Sequence, residues 1–189
     1  MKRVVVTGLG LVTPLAGSVN KSWDKLINAE SGIGKIEGFN VEDLPAKIAG
    51  HVPNSEQEDG FDPNRCLELK EQRKVDRFIL FAIDAAYQAI KDSKWEAKSE
   101  EDSYRSGVLI GSGIGGLSTI EQATLVLKEK GPRRLSPFFI PSCFFICFML
   151  LLDSTQRLFG SLVRLSPKIQ ASKQEMKPLI LLVKPHLRN

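Results

Sequence analysis

Three glycines within residues 111–116 have the G-x-G-x-x-G spacing of a turn that holds the pyrophosphate of a dinucleotide. Such a turn needs a strand before it, a helix after it and, about 20 residues later, an acidic residue that binds the ribose. Residues 105–110 are typical of a buried strand, and residues 117–130 carry apolar side chains at helical spacing. Residues 131–141 contain three prolines, two arginines and no acid. We therefore favour a tight strand-to-helix turn over a nucleotide-binding oxidoreductase.

The cysteines and histidines are the other residues whose types could carry chemistry. Cys143 and Cys147 lie in a run of ten apolar residues, which disfavours a thiolate and offers no glycine for an oxyanion turn. Cys66 precedes a helical segment, His51 lies in a loop, and His186 is close to the last residue. We therefore assign no catalytic residue and no metal site to this sequence.

The elements that must position any site belong to an α/β protein. The 189 residues are 42% hydrophobic and 25% charged, as in one ordinary globular domain. The Val4–Val6 run predicts a central strand with helices on both faces, and residues 8–14 predict a turn-rich loop. Three cysteines without paired spacing, and an N-terminus that is not typical of a signal peptide, favour the cytoplasm.

Two helices are predicted in the first half of the sequence. Residues 20–30 form a short one with Trp23, Leu26 and Ile27 on one face. Residues 67–93 form a long one with a single buried stripe, which comprises Val75, Phe78, Ile79, Ala82, Ile83, Ala86 and Ile90. Residues 35–64 have few periodic apolar positions and predict an ordered surface excursion.

A basic face occurs at the start of the long predicted helix. Lys70, Arg73, Lys74 and Arg77 are three, four and seven positions apart, so that one helix would carry them on one side. On a generic surface helix such a face is only solvated, whereas in a binding protein it attracts an acidic partner.

Five blocks of the sequence, in this order, resemble a known family: KRVVVTGLGLVTP (2–14), SGI (31–33), KEQRKVDRF (70–78), IGSGIGG (110–116) and GPRRLSPFFIPS (131–142). Together they are similar to 3-oxoacyl-[acyl-carrier-protein] synthase II, the β-ketoacyl synthase that elongates fatty acids. The resemblance covers residues 1–142, and the proteins of the family are about twice as long as this chain.

The resemblance implies a thiolase-like layered fold, of which this chain supplies the first half only. It implies a decarboxylative Claisen condensation of malonyl-acyl carrier protein with an acyl-enzyme thioester, in a homodimer that needs no cofactor and binds neither nucleic acid nor membrane. It also implies that Lys70, Arg73 and Lys74 dock the acidic acyl carrier protein. The residue matching Ile114 lines the acyl pocket near the dimer interface.

The sequence departs from the family after Ser142. The nucleophilic cysteine of the family, in an Ala-Cys-Ser/Thr-small-Gly motif, is expected near Ile169 and is absent. Residues 143–189 carry seven Lys or Arg against two acids, although the whole chain has a net charge of only +4. The apolar run at the start of this segment, residues 143–152, has ten residues and is shorter than the ~20 residues that span a bilayer.

We therefore divide the chain into an N-terminal part of a β-ketoacyl synthase domain, residues 1–142, and a divergent, frameshifted tail, residues 143–189. The first hypothesis is a truncated condensing enzyme that is inactive alone. The alternative is a non-catalytic module that binds acyl carrier protein or pairs with an intact synthase. A nucleotide-binding fragment is the third.

Overall fold

The computed structural model describes residues 4–143 and 180–185, apart from residues 100, 101, 103–105, 107–109, 111, 113 and 114. The strands are β1 Val4–Gly10, β2 Ile33–Lys35, β3 Ile48–Gly50 and β4 Ile180–Pro185. The helices are α1 Val19–Ile27, α2 Leu69–Gln72, α3 Arg77–Ser93, α4 Leu117–Lys130 and α5 Phe139–Cys143, with 3-10 turns at Pro63–Arg65 and Pro132–Arg134.

The chain forms two compact units. The first unit contains Met1–Arg65, Asp84–Ser93 and Ile180–Asn189, and the second contains Cys66–Ile83 and Lys94–Leu179. Helix α3 therefore contributes its first turns to the second unit and its last turns to the first unit.

In the first unit, strand β1 lies directly against the second half of α3. A Cβ atom on Gly8 would stand 2.1 Å from the carbonyl oxygen of Ala89, and one on Gly10 would stand 1.8 Å from that of Ala85. Any side chain at either glycine would collide with the helix backbone, so this approach requires residues without a Cβ atom. The loop predicted over residues 8–14 was therefore placed too early, because the strand continues through Gly10.

The prediction that β1 is central and covered on both faces is wrong for the described residues. β1 has one strand neighbour, β4, which runs antiparallel with Val5 opposite Lys184 and Gly8 opposite Leu182. Val5 and Val6 are exposed. The apolar run indicates a strand that can be buried on both faces, but the described part of this unit covers it with α3 alone.

Helix α1 confirms the short helix predicted near residues 20–30, but its apolar face is not buried. Trp23, Leu26 and Ile27 share this face, and their exposed fractions are 60%, 56% and 62%. The buried residue of α1 is Ser22, whose hydroxyl contacts that of Thr13 at 2.9 Å. The helix is thus held to the first unit through its polar side.

The long helix predicted over residues 67–93 is two helices, with a turn at residues 73–76. The carbonyl oxygen of Asp76 accepts hydrogen bonds from the backbone N–H groups of Ile79 and Leu80, so Asp76 stands at the N-cap of α3. Aspartate is among the favoured residues at this position. The hydroxyl of Thr119 donates to the Asp76 carboxylate at 2.6 Å, which fixes the turn further.

The predicted buried stripe is confirmed in part. Four of its seven members are buried along α3, namely Ile79, Ala82, Ile83 and Ala86. Phe78 and Ile90 are half-buried, and Val75 is half-buried in the turn before the helix. The helix buries more than one stripe, because Leu80, Ala85 and Ala89 are buried as well. Helix α4 confirms the helix predicted after the glycine-rich turn, although none of its residues is buried. The excursion over residues 35–64 contains β3 and a 3-10 turn, and most of its side chains are exposed.

Candidate functional site

The basic face of α2 in the second unit is the first candidate site. Lys70 lies in α2 and Arg73 is its C-cap residue, one turn later. Both side chains are exposed, and neither has an ion-pair partner among the residues that the structure describes. Their two charges are therefore available to a partner of opposite charge.

Lys74 differs from its two neighbours because its charge is engaged within the chain. Its side chain is half-buried, and its Nζ atom contacts the Oε1 atom of Glu71 at 2.5 Å. The same Nζ atom lies 5.8 Å from the centroid of the Phe138 ring, within the range of a cation–π interaction. Glu71 and Phe138 thus hold the Lys74 ammonium group from two sides.

Arg77 does not share this face as predicted, because it opens the next helix after the turn. Its guanidinium carbon lies 5.2 Å from the centroid of the Phe81 ring, one turn further along α3. The structure therefore brings Lys70, Arg73 and Lys74 together on one short helix and its C-cap turn, and assigns Arg77 to α3.

The glycine-rich turn before α4 is a close approach between backbone and side chain. A Cβ atom on Gly115 would stand 2.5 Å from the Phe78 ring, and Gly116 adopts the left-handed conformation at φ 69° immediately before α4. Both glycines are needed for the turn. Ile114, for which we expect an acyl-pocket position, lies outside the described residues, as does most of the strand predicted over residues 105–110.

The thiols and histidines form no reactive group in the described part of the chain. Cys66 is half-buried, and its Sγ atom lies 4.0 Å from the carbonyl oxygen of Leu80. His51 is exposed. Cys147, His186 and position 169 lie outside the described residues, and so does the side chain of Cys143. Within those that are described, no cluster of His, Cys, Asp and Glu could hold a metal ion.

A buried polar cluster in the first unit was missed by the sequence analysis. Asp84 of α3 has 1% of its surface exposed. Its Oδ2 atom accepts hydrogen bonds from Arg65 at 2.7 Å and from Gln88 at 2.8 Å. Both donors also reach the carbonyl oxygen of Gly17, and Gln88 reaches that of Leu11. The cluster therefore fastens both ends of the loop that follows β1.

Burial raises the pKa of Asp84 above its ordinary value, because the ionised carboxylate loses its hydration. The positive charge of Arg65 and the hydrogen bonds from Gln88 and Arg65 oppose this shift. The second carboxylate oxygen, Oδ1, has no hydrogen-bond partner among the residues that the structure describes. The sequence offered one signal for this cluster, an Asp and a Gln four residues apart in the mostly apolar middle of the helix.

The α/β architecture is of the thiolase-like class found in ketosynthases, as comparison with solved structures shows. The family model described as "Beta-ketoacyl synthase, N-terminal domain" matches residues 1–149, and the chain belongs to this family. The resemblance stated from the five sequence blocks is thereby confirmed.

Three curated relatives carry the name 3-oxoacyl-[acyl-carrier-protein] synthase 2. The protein of Rhizobium meliloti is 51% identical over 142 residues, which cover 75% of this chain and 34% of the relative. The protein of Vibrio cholerae is 45% identical over 141 residues, and that of Staphylococcus aureus strain COL is 42% identical over 140 residues; this chain covers 32% of each. The chain thus spans about one third of the length of these relatives.

Two solved structures show the same fold at lower identity. The ishigamide ketosynthase/chain length factor has a TM-score of 0.63 and 21% identity, over 92% of this chain and 40% of that one. A type II polyketide ketosynthase in complex with its acyl carrier protein has a TM-score of 0.59 and 22% identity, over 87% and 40%.

A β-ketoacyl synthase from Burkholderia phymatum has a TM-score of 0.53 and 26% identity, over 74% of this chain and 33% of that one.

In the described part of the chain, no helix has the length and apolar character needed to cross a membrane.

Proposed function

We propose that this chain presents the carrier-docking face of a β-ketoacyl synthase of fatty acid biosynthesis and is catalytically inactive alone. The reaction of the complete enzyme would be the decarboxylative Claisen condensation of malonyl-acyl carrier protein with an acyl-enzyme thioester. One observation carries the docking proposal: Lys70 and Arg73 are exposed, and neither has an ion-pair partner among the described residues of a chain that belongs to this family.

The proposal of inactivity depends on the reaction's need for a nucleophile. A cysteine thiolate must form the acyl-enzyme, and the position where the family motif is expected, near Ile169, has no cysteine. The half-buried Cys66 places its Sγ atom 4.0 Å from the Leu80 carbonyl oxygen, at the start of the second unit and far in sequence from the expected motif. We therefore infer that the chain alone does not form the acyl-enzyme.

We further propose that residues 1–142 are the N-terminal part of the synthase domain and that residues 143–189 are a divergent, frameshifted tail. The curated matches are 140 to 142 residues long, a length that agrees with such an N-terminal part, and the family model extends seven residues further, over residues 1–149. In a complete enzyme Ile114 would line the acyl pocket near a homodimer interface, without a cofactor. The cysteine usage continues to favour the cytoplasm.

An acidic carrier protein suits the face on α2 because the charges of Lys70 and Arg73 are exposed. Exposed charge pairs contribute about 0.2–1 kcal/mol each, and they act mainly on the rate and orientation of encounter. Such a face gives rapid and reversible docking rather than a permanent complex. The structure that pairs a ketosynthase with its acyl carrier protein supports a partner of this class.

The test is the affinity of the full-length chain for an acyl carrier protein, measured by fluorescence anisotropy at two ionic strengths. The double variant Lys70→Glu/Arg73→Glu should bind about tenfold more weakly at low salt, and the difference should shrink at about 1 M salt. Lys91→Glu/Lys94→Glu reverses two exposed lysines at the end of α3 and just after it, and is the matched control. Equal losses in the control and the double variant would overturn the docking proposal.

The alternative of a module that pairs with an intact synthase needs a different readout. Mixed dimers would be detected by co-purifying the tagged chain with a full-length synthase. Carrier binding without mixed dimers supports a carrier-binding module, whereas mixed dimers without carrier binding favour pairing.

A further inference from the structure

The basic face of α2 contains one acidic residue, Glu71, between Lys70 and Arg73. Its side chain is half-buried, and its Oε1 atom contacts the Nζ atom of Lys74 three residues later. The Phe138 ring covers the same ammonium group. Lys74 is therefore the member of the face that has ligands from its own chain before any partner arrives.

We propose that Glu71 is an internal competitor that holds Lys74 away from an acidic partner and thereby limits the affinity of the face. This inference rests on the proposed carrier docking. A partner carboxylate can bind the Lys74 ammonium fully only when the Glu71 carboxylate releases it. Lys70 and Arg73 have no such competitor among the described residues, so they meet the partner first and Lys74 exchanges ligands afterwards.

Partial burial strengthens the attraction between Glu71 and Lys74, and a partner carboxylate must compete with this attraction. The exposed fractions are 31% for the Lys74 side chain and 32% for that of Glu71. Water and salt screen a half-buried pair less than a pair on an open surface. A carrier that must dissociate after each delivery benefits from a limited affinity, because most differences in affinity appear in the dissociation rate.

The first measurement is carrier affinity in a double-mutant cycle of Glu71→Gln and Lys74→Met. Glu71→Gln should raise the affinity about threefold to fivefold when Lys74 is present. In the Lys74→Met background the gain should fall to that of Glu68→Gln, which removes an exposed negative charge one turn earlier without touching Lys74. Equal gains in both backgrounds would mean a simple effect of net charge and would overturn the proposal.

A second measurement does not involve the carrier. Urea unfolding of the parent chain, Glu71→Gln, Lys74→Met and the double variant gives the coupling free energy between Glu71 and Lys74 in the free chain. A coupling free energy indistinguishable from zero would also overturn the proposal. A failure of the docking proposal gives a different result. Lys70→Glu/Arg73→Glu then binds the carrier protein with the same affinity as the parent chain, while urea unfolding still shows a coupling free energy between Glu71 and Lys74.

Discussion

Replacing Gly10 by alanine tests the close approach of β1 and α3 with the smallest possible change of side chain. The new Cβ atom would stand 1.8 Å from the carbonyl oxygen of Ala85 and 2.8 Å from the backbone nitrogen of Ala89. Real Cβ atoms essentially never come within 3.0 Å of another heavy atom, so the strand and helix must separate by about 1 Å.

The obstructing atoms belong to the helix backbone, so no rotamer change can relieve the contact. Overpacking a well-packed interior costs about 1–3 kcal/mol, and we expect a value near 3 kcal/mol here. The whole free energy of unfolding of a domain is about 5–15 kcal/mol, so a loss of this size is large. Urea unfolding followed by circular dichroism measures it as a lower midpoint.

Gly34→Ala is the matched control, because it makes the same chemical change in strand β2. A Cβ atom on Gly34 has no heavy atom within 4 Å, and we expect its effect to stay within about 0.5 kcal/mol. If Gly10→Ala and Gly34→Ala unfold at the same urea concentration, β1 does not lie against the backbone of α3 and the steric reasoning fails.

Two further predictions concern hydrogen bonds. Asp84→Asn removes a titrating carboxyl, and burial raises the pKa of Asp84 in the folded chain above its ordinary value of 3.8. The folded chain keeps the Asp84 proton to a higher pH than the unfolded chain does, so the stability of the parent relative to Asp84→Asn should fall as the pH rises above 3.8. Urea unfolding over a series of pH values measures this, and a rise would mean that Arg65 outweighs burial. Thr119→Val removes the donor to Asp76 and should cost about 1–2 kcal/mol in the same assay. Thr124→Val, on the exposed side of α4, is the control and should lower the free energy of unfolding by less. Equal losses in the two variants would mean that the contact between Thr119 and Asp76 contributes nothing.

The sequence predicted what depends on near neighbours. The stripe of Ile79, Ala82, Ile83 and Ala86 on α3 follows from a period of 3.6 residues, and the structure buries all four. The spacing of the charges likewise predicted that Lys70, Arg73 and Lys74 lie close together. One short helix and the C-cap turn after it are enough to bring three such near neighbours together. Local periodicity is sufficient for both.

The remaining features depend on residues far apart in the sequence. The break before α3 involves Thr119 as well as Asp76, and no pattern within one helix indicates that contact. The Asp84 cluster needs Arg65, 19 residues earlier, and the Gly17 carbonyl. Phe138, which covers Lys74, is also remote in sequence. Only the folded chain shows that Lys74 is engaged whereas Lys70 and Arg73 are exposed.

The pairing of β1 with β4 has a consequence for how the chain is made. Roughly 170 residues separate the two strands, so their pairing is among the most non-local contacts that the chain can form. A ribosome releases β1 long before it has synthesised β4. During that time β1 has no strand neighbour among the residues that the structure describes, and its Val5, Val6 and Leu9 side chains are exposed even after folding. The first ten residues are therefore where chaperone binding and aggregation compete most directly with folding.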